Sequence, residues 1–122
     1  MATILIVDSN GRRRVRIEAA AVGHKTYSAG TVHEAIQQIE IYVPEFLVLP
    51  GGPDDPLARE TLAFIRENRE GRFADIRVIV PGATPYCCGL SVIPSNLRRP
   101  EDIVSTIDDL LDAETSHIQA AA

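Results

Sequence analysis

The sequence predicts a single α/β domain built on a doubly wound, five-stranded parallel sheet. Three observations predict it. First, Thr3-Ile4-Leu5-Ile6-Val7, Phe46-Leu47-Val48-Leu49 and Val78-Ile79-Val80 are short runs, apolar at nearly every position. Such runs suit strands buried on both faces. Second, segments with helical apolar spacing lie between them, and strands alternating with helices imply parallel pairing with right-handed crossovers. Third, 122 residues, 45% apolar and 24% charged, are enough for one core and are not a disordered composition.

The elements follow in order. After the first run, a helix over about 11–22 is expected, with Ser9 or Asn10 as its cap and Gly23 closing it in a left-handed turn. Val15, Ala19 and Val22 are expected to face the sheet. Arg12 and Arg13 stand in its first turn, where the helix dipole disfavours cations by about 0.3–1 kcal/mol each. Thr26-Tyr27-Ser28-Ala29 suits a flanking strand. Thr31-Val32-His33-Glu34 is a capping box, and Val32, Ala35, Ile36 and Ile39 then share one helical face. Pro44 stops that helix near Tyr42 or Val43.

Asp55-Pro56 opens the next helix, an acid at the cap and proline at the first helical position. Its buried face is expected from Ala58, Thr61, Leu62 and Ile65. Beyond Val80, only Gly82 to Gly89 precede the weak strand Leu90-Ser91-Val92-Ile93. That stretch contains Pro85 and two glycines, too little for a helix of ordinary length. Pro100-Glu101-Asp102 starts the last helix, with Ile103, Ile107, Leu110 and Leu111 as its stripe. The domain is expected to span 1–113, with 114–122 as a tail.

Composition narrows the function classes. A formal net charge of −5 argues against nucleic acid as the partner, because that affinity rests on cations meeting phosphate. No apolar run approaches the roughly 18 residues of a membrane span, and the start lacks the pattern of a signal peptide. A cytoplasmic location is therefore expected. Cys87 and Cys88 are adjacent and read as reduced thiols. His24, His33 and His117 are scattered without ligand spacing, so neither metal nor cofactor is expected. Pro50-Gly51-Gly52-Pro53 lacks the Lys-Ser/Thr of a nucleotide-binding loop and reads as a rigid turn. Arg12, Arg13, Arg14 and Arg16 form a cluster with two readings. It is an anion or partner surface, or it is a solvated face whose stems cover apolar atoms.

In doubly wound folds, chemistry sits beyond the carboxyl ends of the strands. The strand endings here resemble those of receiver domains of two-component response regulators. The likeness rests on Ile-Leu-Ile-Val-Asp8-Ser9-Asn10, on Gly23-His24-Lys25-Thr26-Tyr27-Ser28-Ala29 and on Val32-His33-Glu34-Ala35-Ile36. Pro44-Glu45-Phe46-Leu47-Val48-Leu49, Ile76-Arg77-Val78-Ile79-Val80 and Arg99-Pro100-Glu101-Asp102-Ile103 continue it, over about residues 2 to 112. The resemblance implies a flavodoxin-like sheet of order 2-1-3-4-5. It also implies phosphoryl transfer to an aspartate, with an acid pair holding Mg²⁺, an acceptor Asp, a Ser or Thr and a Lys.

This sequence departs from that chemistry. Asp8 stands in the acid pair, but its neighbour is Ser9. The acceptor position falls on Pro50, the hydroxyl position on Gly82 and the lysine position near Asn96. The expectation is a pseudo-receiver, a signalling module with no catalytic residues that binds a protein partner and ignores phosphodonors. A homodimer is left open, although the short link before the last strand puts the family's usual pairing face in doubt. The alternatives are a regulator phosphorylated at an unconventional acid such as Asp54 or Asp55, and an anion- or nucleotide-binding domain on the same sheet.

Overall fold

A computed structural model of the chain describes residues 2–82, 86–87, 90–91, 93–95 and 99–121. The strands are β1 (Thr3–Val7), β2 (Lys25–Ala29), β3 (Phe46–Val48), β4 (Arg77–Pro81), β5 (Tyr86–Cys87), β6 (Leu90–Ser91) and β7 (Ile93–Ser95). The helices are α1 (Gly11–Ala20), α2 (Val32–Tyr42), α3 (Pro56–Glu67) and α4 (Pro100–Ala121), with a 3₁₀ turn at Gly71–Phe73. Five strands form one parallel sheet in the order β2-β1-β3-β4-β7. This is the order expected for a receiver-type sheet.

The link between β4 and β7 departs from the plain alternation. β5 and β6 pair antiparallel as a separate hairpin, Tyr86 opposite Ser91 and Cys87 opposite Leu90. Among the described residues no helix lies there. The fifth strand of the main sheet is therefore Ile93–Ser95, shifted from the expected Leu90–Ile93 because Leu90 and Ser91 are taken by the hairpin. The last helix runs on to Ala121, past the boundary expected at residue 113. Among the described residues no helix is long and apolar enough to cross a membrane.

Strand alternation divides the core in two. Leu5, Val7, Leu47, Leu49, Val78 and Val80 face α2 and α3, meeting Ala35, Ile39, Ala58, Leu62 and Ile65. Ile4, Ile6, Phe46, Val48 and Ile79 face α1 and α4, meeting Ile17, Ala21, Ile103 and Ile107. All four expected α3 positions are buried. The capping box of α2 forms, with Thr31 Oγ1 accepting from the Glu34 amide at 3.2 Å. Glu34 reaches back to the Gly30 amide at 3.3 Å. Val43 ends α2 at φ 43°, a left-handed turn held just before Pro44. His24 ties β1 to α4. Its Nδ1 accepts from the Ala2 amide at 3.0 Å, so Nε2 carries the proton offered to Asp108 Oδ1 at 2.7 Å.

Helix α1 sits in a different phase from the one expected. Ile17 and Ala21 are buried, whereas Val15 is 63% and Val22 86% exposed. Arg13, Ile17 and Ala21 recur every four residues and share one face. Turning Arg13 toward the end of β1 therefore turns Ile17 inward and Val15 outward. We expect Ile17→Ala to lose about 2–4 kcal/mol of unfolding free energy. Val15→Ala should change it by less than about 0.5 kcal/mol. Urea unfolding of both variants checks this, and equal losses would put Val15 back in the core.

Candidate functional site

The site lies at the carboxyl ends of β1, β3 and β4, where a doubly wound sheet opens. Asp8 follows β1 directly and is fully buried. Its amide donates to Ala29 O at 3.0 Å, which extends the β1–β2 ladder by one step. The carboxylate is also occupied. The Asn10 amide donates to Oδ1 at 3.0 Å, and Arg13 grips both oxygens. Arg13 Nη2 donates to Oδ1 at 2.8 Å and Nε donates to Oδ2.

The local sequence builds this grip. Asn10 caps α1, its side chain accepting from the Arg13 amide at 3.1 Å. The cap fixes where the first turn begins, and Arg13 then projects back over the end of β1. A bidentate guanidinium–carboxylate pair is among the stronger and more directional polar contacts. The hydrogen bond to Asp8 raises the Arg13 pKa above its ordinary value. Burial pulls the other way, and the charges of Asp8 and Asp55 raise it further. A raised cation contributes its stability fully below the ordinary guanidine value and loses it only above the raised one. Arg13 is therefore a fixed positive charge throughout the neutral range.

The opposite wall is the loop after β3. Gly52 donates to Leu49 O at 3.2 Å, and Asp55 donates to Gly52 O at 3.3 Å. These close two successive turns, with Pro50 and Pro53 each at the second position, where proline pre-sets φ. Gly52 sits at φ 85°. The loop is the expected rigid turn, and Pro50 is buried within it. Asp55 occupies the cap position of α3 but makes no side-chain cap bond. Its carboxylate instead folds over Gly51, where an added Cβ would lie 2.2 Å from Oδ2. Asp55 Oδ2 is buried without a hydrogen bond, and the charge it acts on is Arg13. The expected capping role is thus replaced by an electrostatic one.

The remaining positions read as follows. Ser9 is exposed and adds nothing to the buried acid. Gly82 follows β4 at φ 79°, a left-handed turn that side chains rarely adopt. Asn96 lies outside the described residues. A hard divalent ion needs several free oxygen ligands. Here both oxygens of the buried acid are engaged by Arg13, and Pro50 offers no side-chain donor, so the residues present do not fit Mg²⁺. Among the described residues, no group of three or more His, Cys, Asp or Glu could hold a metal.

The four clustered arginines point in different directions. Arg13 turns in to Asp8. Arg14 lies over the β2–α2 corner, so close that a Cβ on Gly30 would be 2.7 Å from its Nη1. Arg12 and Arg16 stay on the surface and line a cleft with Asn10, Arg13 and Pro100. The inward turn of Arg13 differs from both sequence-based expectations for the cluster. The available signal was an arginine opposed to the helix dipole, five residues after a strand-ending acid.

No protein-family model matches the sequence, and the search of curated proteins found no match. The fold does have solved counterparts. The pseudo-receiver domain of CikA is 20% identical, with a TM-score of 0.64 over 91% of this chain and 98% of that one. A receiver-modulated diguanylate cyclase from Pelobacter carbinolicus is 16% identical, with a TM-score of 0.67 over 98% and 99%. The signal receiver domain of a LuxO-type repressor from Vibrio parahaemolyticus is 12% identical, with a TM-score of 0.65 over 99% and 98%. The chain has the receiver-type fold.

The Asp8–Arg13 pair can be tested by a double-mutant cycle. The Arg13 side chain is 35% exposed, so water partly re-solvates the acid when it is removed. We expect Arg13→Met to lose about 1.5–3 kcal/mol, less than breaking a fully buried pair. Combining it with Asp8→Ala should cost less than the sum by about 1 kcal/mol. Denaturant unfolding of the four proteins at neutral pH measures this, and strict additivity would deny the coupling.

Proposed function

We propose that this receiver-fold domain is a phosphorylation-independent signalling module that works by binding protein partners and is not an enzyme. One observation carries the reading. The guanidinium of Arg13 fills the acid pocket and neutralises Asp8, where the receiver reaction would need a metal. A phospho-switch needs an ionic site that is loaded and unloaded. Here the counter-charge is covalently part of the chain, held by two hydrogen bonds from the guanidinium to the carboxylate.

The neighbouring residues support the same reading. Pro50 supplies no nucleophile at the acceptor position, and Gly82 supplies no hydroxyl. The backbone at Gly82 has φ 79°, which a serine or threonine would adopt only under strain. The second reading, an unconventional acceptor, draws on Asp55 with its unbonded Oδ2. Against it, that oxygen is buried over Gly51, and the charge of Arg13 is already shared between Asp55 and Asp8.

Incubation with Mg²⁺ and acetyl phosphate, followed by intact-mass measurement, tests the proposal. The expected result is an unchanged mass for the wild-type chain. A stable gain of one phosphate that disappears in Asp8→Asn, Asp54→Asn or Asp55→Asn would overturn it and favour the second reading.

A further inference from the structure

A cleft runs between the first turns of α1 and the start of α4. Asn10, Arg12, Arg13, Arg16 and Pro100 line it, around a volume of about 320 Å³. No acid is among these residues. Arg12 and Arg16 are exposed, and among the described residues neither makes an ion pair. Arg13 commits Nε and Nη2 to Asp8, and its Nη1 has no partner among the described residues. A second cleft of about 620 Å³ adjoins the first, with Arg16 and Pro100 lining both. Ala19 and Ala20 give this second compartment apolar lining, and Arg99 and Glu101 add polar groups.

The basic compartment is unfavourable when empty. Arg12 and Arg16 are four residues apart on α1, a like-charge pair on one helical face. Seventeen acids in the chain leave a net charge of −5, yet none of them lines this cleft. We propose that the two clefts bind a small organic phosphate, with its phosphate group among the arginines and its body in the second compartment. A phosphate monoester carries nearly two negative charges and three acceptor oxygens, which match two unpaired guanidiniums and the outer nitrogen of a third. A carboxylate carries one charge and two oxygens, and one guanidinium satisfies it. Ala19, Ala20 and Pro100 offer apolar contact to the body, and Glu101 accepts a hydrogen bond from a hydroxyl or amino group on it. Both compartments fall in the size range of small-ligand sites. Nucleoside monophosphates have this chemistry: one phosphate, a flat body, and hydroxyl and amino donors.

Binding here is non-covalent and leaves the intact mass unchanged, so it stands or falls separately from the phosphorylation-independent reading of Asp8 and Pro50. Isothermal titration calorimetry of the whole chain in a phosphate-free buffer tests it, with AMP, GMP, adenosine, inorganic phosphate and a phosphoserine peptide as probes. The nucleotides are expected to bind at one site, inorganic phosphate more weakly, and adenosine not at all. Arg12→Gln/Arg16→Gln should weaken nucleotide binding by at least about tenfold, through loss of charge-assisted hydrogen bonds. Both side chains are exposed, so the variant should stay folded, which circular dichroism confirms. Arg59→Gln makes the same charge change singly on exposed α3, across the sheet, and should leave the affinity unchanged. Arg12→Lys/Arg16→Lys keeps the charge, loses the planar fork and should bind with intermediate affinity. No heat with either nucleotide, or equal affinity for adenosine, would overturn the proposal. So would a lysine variant as tight as wild type, since charge alone would then be acting. A phosphoserine peptide that binds more tightly than both nucleotides would overturn the assignment to a small ligand.

Discussion

The pair between Asp8 and Arg13 links the end of the central strand to the first turn of the helix that follows it. Much of the α1 side of the domain depends on that link. Asp8 is buried without exposure at the mouth of the sheet, and a lone carboxylate there would be costly. Arg13 offsets that cost only if α1 begins at Asn10 and turns its third residue inward. Ile17 and Ala21 then fall on the sheet, and Val15, Ala19 and Val22 fall on the surface. One ion pair thus helps to set the phase of a helix, the composition of one core and the chemistry of an exposed face.

The rest of the frame holds the pair in place from outside. β1 is flanked on both sides, by β2 and β3, so Asp8 leaves the sheet at its most constrained point. The β3–α3 loop closes the far wall with two proline-led turns and brings Asp55 within electrostatic reach of Arg13. Two acids and one guanidinium then share a small volume. The arrangement resembles the charge balance of a metal-loaded carboxylate site, but the cation is a side chain that cannot leave. An ionic switch depends on exchange, whereas this counter-charge is tethered to the chain.

The other departure lies at the far edge of the sheet. The hairpin of β5 and β6 is inserted along the chain between β4 and β7, which pair directly in the sheet. The α1/α4 layer covers one face of the sheet, with Ile17, Ile103 and Ile107 packed on the core.

Much of this was legible in the residues alone. The double burial of Ile4 to Val7, Phe46 to Leu49 and Val78 to Val80 announced a parallel sheet, because only a sheet covered on both faces hides every position. The cap at Thr31 and the stop at Pro44 are local chemistry and were readable as such, while the cap of α1 was narrowed to Ser9 or Asn10 and the structure gives Asn10. The absence of a nucleophile at Pro50 was equally plain. The phase of α1 was not legible, because Val15, Ala19 and Val22 offer an apolar stripe as good as that of Ile17 and Ala21. Periodicity cannot choose between two stripes, whereas a buried acid across a strand–helix corner can. Asp55 carried a similar ambiguity, since a cap signature does not reveal a competing charge brought close by another loop. The sequence by itself determined most strands, most helix ends and the lack of a side-chain nucleophile at Pro50, since these follow from neighbours along the chain. Only the tertiary structure decided that Arg13 faces inward and Arg12 and Arg16 outward, since that choice rests on a charge held five residues away by the sheet.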